Sequence, residues 1–178
     1  MRFTVTEIPG VVVVELDPHR DERGFFARSF CEEEFAKAGI SMRVVQTSIS
    51  HNPVARTLRG IHFQHPPYEE PKLVQCVRGR LWDVAVDLRA NSPTYGRSLG
   101  IELAPERECL LYIPPGCGHG FITLEDRTDV LYFMGAAFVP GAGGGILWND
   151  PAFSISWPVE PVVISERDAS YPTFNVDG

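Results

Sequence analysis

Short runs rich in Val, Ile, Phe and Leu recur about every ten residues along this chain, punctuated by Pro, Gly, Asn or Asp. They cover residues 10–16, 24–30, 44–51, 57–63, 73–77, 81–88, 98–103, 109–113, 120–124 and 129–134. Runs this short, with turn residues between them, specify strands rather than helices, so the chain is expected to be all-β, a sandwich or barrel. The first seven residues alternate in the same way. Residues 82–88, Trp-Asp-Val-Ala-Val-Asp-Leu, carry the period-2 pattern of a sheet with one buried face. The main helical candidate is brief, residues 31–38, closed by Gly39 at a position that favours glycine. The stretch Gly141-Ala142-Gly143-Gly144-Gly145 lacks the spacing of a phosphate loop and is read as a flexible turn.

With 178 residues and no repeat, linker or low-complexity segment, residues 1–178 are expected to form a single domain. The part from 148 onward, rich in Pro and aromatics, is expected to pack over the barrel. A net charge of −7 argues against a nucleic-acid partner, which needs a basic surface. A few placed arginines would still bind a phosphate. No apolar run approaches the length of a membrane-spanning helix, and the N-terminus lacks the apolar stretch of a signal peptide, so no membrane partner and a cytoplasmic location are expected. Cys31, Cys76, Cys109 and Cys117 show neither CxxC nor zinc-like spacing and are expected to be free thiols.

Histidine is scarce, which makes its placement informative. His62 lies in Arg59-Gly60-Ile61-His62-Phe63-Gln64. Plain strand alternation puts Gly60, His62 and Gln64 on one face and Arg59, Ile61 and Phe63 on the other, unless a bulge intervenes. Taken alone, a histidine in a strand is more often a hydrogen-bonded structural residue. Lys72, His119 and Tyr132, however, also fall in or beside strand-like runs, and small barrels gather such residues around one cavity. Asp83 could brace such a site or simply pair with a basic neighbour. A metal is not expected, because the position two after His62 is Gln64 and His119 alone cannot complete a ligand set.

Eight segments, in order along nearly the whole chain, resemble the dTDP-4-dehydrorhamnose 3,5-epimerase family. They include Asp21-Glu22-Arg23-Gly24-Phe25-Phe26, Thr57-Leu58-Arg59-Gly60-Ile61-His62-Phe63-Gln64, Ile113-Pro114-Pro115-Gly116-Cys117-Gly118-His119-Gly120-Phe121, Trp148-Asn149-Asp150-Pro151 and Ser165-Glu166-Arg167-Asp168. The resemblance implies a cupin-like jelly-roll barrel with a few short helices. It also implies a homodimer with a shared site that acts without metal or other cofactor on a nucleoside-diphosphate 4-keto-6-deoxy sugar. It makes His62 the general base, Asp168 the carboxylate that orients it, Tyr132 the acid on the opposite sugar face, and Lys72 the partner of the keto oxygen. Arg59, His119 and Arg167 match diphosphate or sugar contacts. Gln46 and Phe138 match further substrate contacts, and Arg23 and Phe26 a nucleotide edge supplied by the neighbouring subunit.

The chemistry requires these residue types. A proton at C3 or C5 is acidified by the C4 ketone because its removal gives an enolate. A positioned base accelerates that removal by on the order of 10²–10⁴. A carboxylate fixes the tautomer of an imidazole base and stabilises the imidazolium. The enolate oxygen needs a cation or donor, and inversion needs a separate acid on the other face. The chain departs from the family at Ala137-Phe138, where a tyrosine pair is common, at Arg28, where a carboxylate is usual, and at Gln46-Thr47-Ser48 in place of Gln-Asp-Asn. These departures leave open a C3-only epimerase, a CDP-, GDP- or UDP-linked substrate, and a non-catalytic sugar-nucleotide-binding jelly roll.

Overall fold

The computed structural model describes residues 1–174. Each of the runs singled out in the sequence overlaps a strand, and most of the strands build two antiparallel sheets. The first sheet runs β1 (Arg2–Val5), β2 (Val12–Glu15), β10 (Cys109–Ile113), β7 (Lys72–Arg78), β12 (Thr128–Met134), β5 (Gln46–Asn52). The second runs β13 (Gly143–Gly145), β6 (Leu58–Gln64), β11 (Cys117–Thr123), β8 (Leu81–Asp87), β9 (Ser98–Leu103). Spatial neighbours are mostly distant in sequence, the connectivity of a jelly roll. A separate hairpin, β3 (His19–Asp21) and β4 (Gly24–Phe26), stands outside both sheets.

The sheets face each other across a core in which Val74, Leu111 and Val130 of the first meet Ala85, Cys117 and Phe121 of the second. Part of each outer face is covered as well. The helix α1 (Glu32–Lys37) lays Phe35 over Leu73, Leu110 and Tyr112, a burial worth about 1.5–3 kcal/mol for the one side chain. The helix stops at the expected glycine. Gly39 takes φ +80°, a left-handed turn that other residues resist, and this lets the Gly39 N–H donate to the Ala36 carbonyl and the Ile40 N–H to that of Phe35.

On the second sheet the chain from Trp148 onward does the covering, with Phe153, Ile155, Trp157 and Phe174 packed near Ile61, Val84 and Val86. Its last four residues lie outside the described ones. This cover corrects the reading of residues 82–88. Asp83, Ala85 and Asp87 turn into the barrel and Val84 and Val86 turn out, yet all five are buried, because the tail shields the face expected to be wet. The glycine-rich stretch is also more than a turn. Gly143, Gly144 and Gly145 pair with Gln64, Phe63 and His62 as an edge strand, since ladder bonds need no side chain and leave no apolar period to read. Among the described residues no helix is long and apolar enough to cross a membrane.

Candidate active site

The site is built around an irregularity in β6. His62 pairs with His119 and Arg59 with Phe121, so Gly60 and Ile61 together oppose Gly120 alone. This bulge overturns the plain alternation expected for the strand. Arg59 and His62, three apart, line one cavity together. Glycine is required at the bulge: Gly60 has φ +112°, and a Cβ there would lie 2.6 Å from the Gly120 Cα.

The cavity, about 360 Å³, is walled by Arg59, His62, Arg167 and Asp168 together with Ser165 and Ile164. Asp168 sits on the short helix α2 (Glu166–Ala169), whose N-cap Ser165 accepts the Asp168 N–H. One carboxylate oxygen of Asp168 lies 2.7 Å from His62 Nε2, and the other accepts the Gly60 N–H at 3.1 Å. Burial pulls the Asp168 carboxyl upward, but the bonds from His62 and Gly60 outweigh it and hold the group below its usual value. A larger hollow, about 630 Å³, lies by Phe63, Leu88, Arg89 and Pro172 on the other side of the sheet. It lacks this pair, and the chemistry favours the smaller cavity.

Strand register places the other candidates. His62 and His119 are directly paired, so they share the inner face of the second sheet. Tyr132 pairs with Val74, a core residue, and Lys72 lies two residues from Val74 on the same inner face of the first sheet. The two sets meet across the lumen, where the rings of His119 and Tyr132 are 5.7 Å apart, edge to face. Burial, helped by Asp83 and opposed by Arg59, drives the Tyr132 phenol well above its usual range, so it carries its proton at neutral pH. Lys72 is buried and paired with Glu70 at 3.0 Å.

Not every candidate joins this group. Gln46 accepts the Phe138 N–H at 2.8 Å, and Gln64 accepts that of Val139, so the two glutamines pin the loop that exposes the Phe138 ring. Arg23 is bound to Asp21 on the β3–β4 hairpin, where Phe26 is 77% exposed, and neither lines the cavity. Arg28 pairs with Glu34 on α1. Three participants escaped the sequence reading. Glu70 neutralises Lys72, Asn52 accepts from Arg59 Nε at 2.8 Å, and Tyr171 stands edge-on to His62 at 6.2 Å. Of these, only Glu70 left a trace in the sequence, two residues before the lysine. Asp83, for which the sequence allows either a brace or a plain ion pair, holds His119 Nε2 at 2.7 Å. Among the described residues no three His, Cys, Asp or Glu side chains converge as a metal site would need.

A family model described as dTDP-4-dehydrorhamnose 3,5-epimerase matches residues 5–176. A protein of that description from Methanothermobacter thermautotrophicus is 41% identical over 96% of this chain and 92% of its own length. The crystal structure of a Bacillus anthracis dTDP-4-dehydrorhamnose 3,5-epimerase with TDP and PPi bound superposes with a TM-score of 0.94 at 34% identity, covering 97% of this chain and 99% of that one. A 3′-monoepimerase from Streptomyces bikiniensis, in complex with dTDP-quinovose, superposes at 0.88 with 33% identity, covering 96% and 86%.

Proposed function

Because this chain belongs to the dTDP-4-dehydrorhamnose 3,5-epimerase family, we propose that its barrel lumen is where a dTDP-linked 4-keto-6-deoxyhexose exchanges protons at C3 and C5. The enzyme is an isomerase of sugar nucleotides. In this reading His62 is the base: Asp168 occupies Nε2, which leaves Nδ1 to take the proton from carbon. Asp168 stays anionic and so stabilises the imidazolium that results. Tyr132, protonated and projecting from the opposite sheet, returns a proton to the other face of the sugar. Lys72 faces the enolate oxygen, and Arg59, His119 and Arg167 hold the diphosphate and sugar.

The observation that carries the reading is that His62 and Tyr132 come from strands of opposite sheets. Inversion at carbon needs delivery from the face that was not deprotonated, and two sheets facing one lumen supply both. The shared site is part of the same proposal. Arg23 and Phe26 project on a hairpin away from their own cavity, and β5 is an edge strand with exposed side chains, so a second copy is read as receiving that hairpin. Residues 1–178 are read as one unit. Four cysteines without a disulfide suit the reducing cytoplasm.

Incubation with dTDP-4-keto-6-deoxyglucose in D₂O tests the reading. Deuterium at C3 and C5 supports it, and label at C3 alone points to a monoepimerase like the Streptomyces bikiniensis relative. Binding without label would leave a non-catalytic module, or a substrate with another base. His62→Ala should abolish exchange while binding persists. A monomeric mass in solution would end the shared-site proposal.

A further inference from the structure

The tail that supplies Asp168 supplies a second contact to the base. Tyr171 lies three residues beyond Asp168, with its ring edge-on to His62 at 6.2 Å and 70°. The ring also lies against β13. Gly145 is directly paired with His62, so both present the same face of the sheet. A Cβ on Gly145 would collide with Cζ and Cε2 of Tyr171. The hydroxyl-bearing end of the ring therefore occupies the space a side chain would take. Arg167, from the same tail, puts its guanidinium 5.7 Å from the ring centroid.

We infer that Tyr171 is a positioning residue for His62, its ring wedged over Gly145 so that the imidazole is confined between the Asp168 carboxylate and an aromatic wall. This inference rests on the reading of His62 as the base. A hydrogen bond at Nε2 alone fixes one end of an imidazole and leaves the ring plane free to rock about that bond. A rigid neighbour removes the remaining freedom and keeps Nδ1 aimed into the lumen, and small misplacements of a reacting group are costly in rate. The role belongs to the ring and not to the hydroxyl. That oxygen is buried and makes no hydrogen bond among the described residues, and the contact with His62 is made by the ring.

Steady-state epimerisation and deuterium exchange, measured on the full chain, test this. Tyr171→Leu should lower kcat about tenfold or more while leaving KM within about twofold, because the base is misaligned and the substrate contacts remain. Tyr171→Phe should match wild type. Gly145→Ala should displace the ring and reproduce the Tyr171→Leu defect, and the double variant should be no worse than either single one, the mark of one shared interaction. Nitrogen-15 relaxation of the labelled imidazoles gives a readout independent of turnover: the His62 ring, rigid in wild type and in Tyr171→Phe, should gain motion in Tyr171→Leu while Nε2 keeps its bond to Asp168. Unchanged kcat and ring motion in a folded Tyr171→Leu would overturn the inference. Equal loss in Tyr171→Phe would overturn it too, by moving the role to the hydroxyl. Absence of exchange in wild type would instead sink the reading of His62, and the relaxation comparison would still decide the role of the ring.

Discussion

Replacing Asp168 with asparagine keeps the shape of the side chain and removes its charge, and the surrounding donors then decide where the imidazole proton sits. The carboxylate accepts from two directions, His62 Nε2 at 2.7 Å and the Gly60 N–H at 3.1 Å. The backbone amide can only donate, so the asparagine must turn its oxygen to Gly60 and its NH₂ to His62. Nε2 then has to accept, and the imidazole proton moves to Nδ1, the nitrogen proposed as base. Restoring the working tautomer would flip the amide against Gly60 and leave a buried donor unmet, at about 1–3 kcal/mol. Losing the charge on the imidazolium's partner adds about 1.5–3 kcal/mol, the usual worth of a charge-assisted bond. Together these slow turnover by about 10²–10⁴, at about 1.36 kcal/mol per decade. The assay is kcat for deuterium uptake from D₂O, with circular dichroism confirming the fold and KM expected to change little. A folded Asp168→Asn enzyme within about threefold of wild-type kcat would refute the tautomer reasoning.

Buried and ionisable groups elsewhere set three further outcomes. Lys72→Met should lower stability by about 3–5 kcal/mol because the Glu70 carboxylate loses its partner; the double variant Lys72→Met with Glu70→Gln should recover melting temperature but not turnover, whereas recovery of both would remove the lysine from the reaction. Burial would raise the Asp87 carboxyl, but the bonds from Arg89, Ser92 and Thr94 outweigh it and its pKa falls below the ordinary 3.8. Asp168 is depressed likewise. Between the depressed and ordinary values the unfolded chain binds more protons, so stability is held above about pH 4 and lost as pH falls. Asp87→Asn should be less stable at pH 7 and show a shallower acid limb in urea titrations. Burial pushes the thiols of Cys76 and Cys117 up to about 12 and raises Cys109, so a native Ellman titration should find Cys31 alone reacting quickly, and all four only after unfolding.

The strands were legible because each carries its own apolar run and is cut by its own turn residues. What faces what was less so. Alternation in residues 82–88 is real, but it marks which side chains turn inward, not which are dry, because a tail far along the chain covers the outside. The bulge at Gly60 leaves no trace except a glycine, and strand β13 has no side chains from which a period could be read. Long-range partners are harder still. Asp168 is separated from His62 by 106 residues, and nothing local in Ser165-Glu166-Arg167-Asp168 distinguishes a base-orienting carboxylate from a helix-turn residue. That assignment came only through the family resemblance. Tyr171 is not in any resembling segment, and its place is visible only once β13 is seen to pair with β6.

Two histidine–aspartate pairs face the lumen, and the differences between them support the proposal of His62 rather than His119 as the base. His62 with Asp168 and His119 with Asp83 are both joined Nε2 to Oδ1 at 2.7 Å. Their surroundings differ. The His62 side chain is 42% exposed, whereas that of His119 is 5% exposed above an Asp83 that is fully buried. Burial raises the Asp83 carboxyl despite the pull of His119 and Lys72, so a fully charged pair there carries the desolvation cost of both groups. Asp168, bound also by the Gly60 amide, remains below its usual value and favours the charged ring beside it. A base in turnover must gain a proton, keep it briefly and release it toward solvent or product. His62 has an anion to stabilise the gain and an open side for the release. His119 sits over a fully buried carboxylate and has no open side. Its ring packs against Tyr132, a geometry suited to holding substrate and acid in place rather than to carrying protons away.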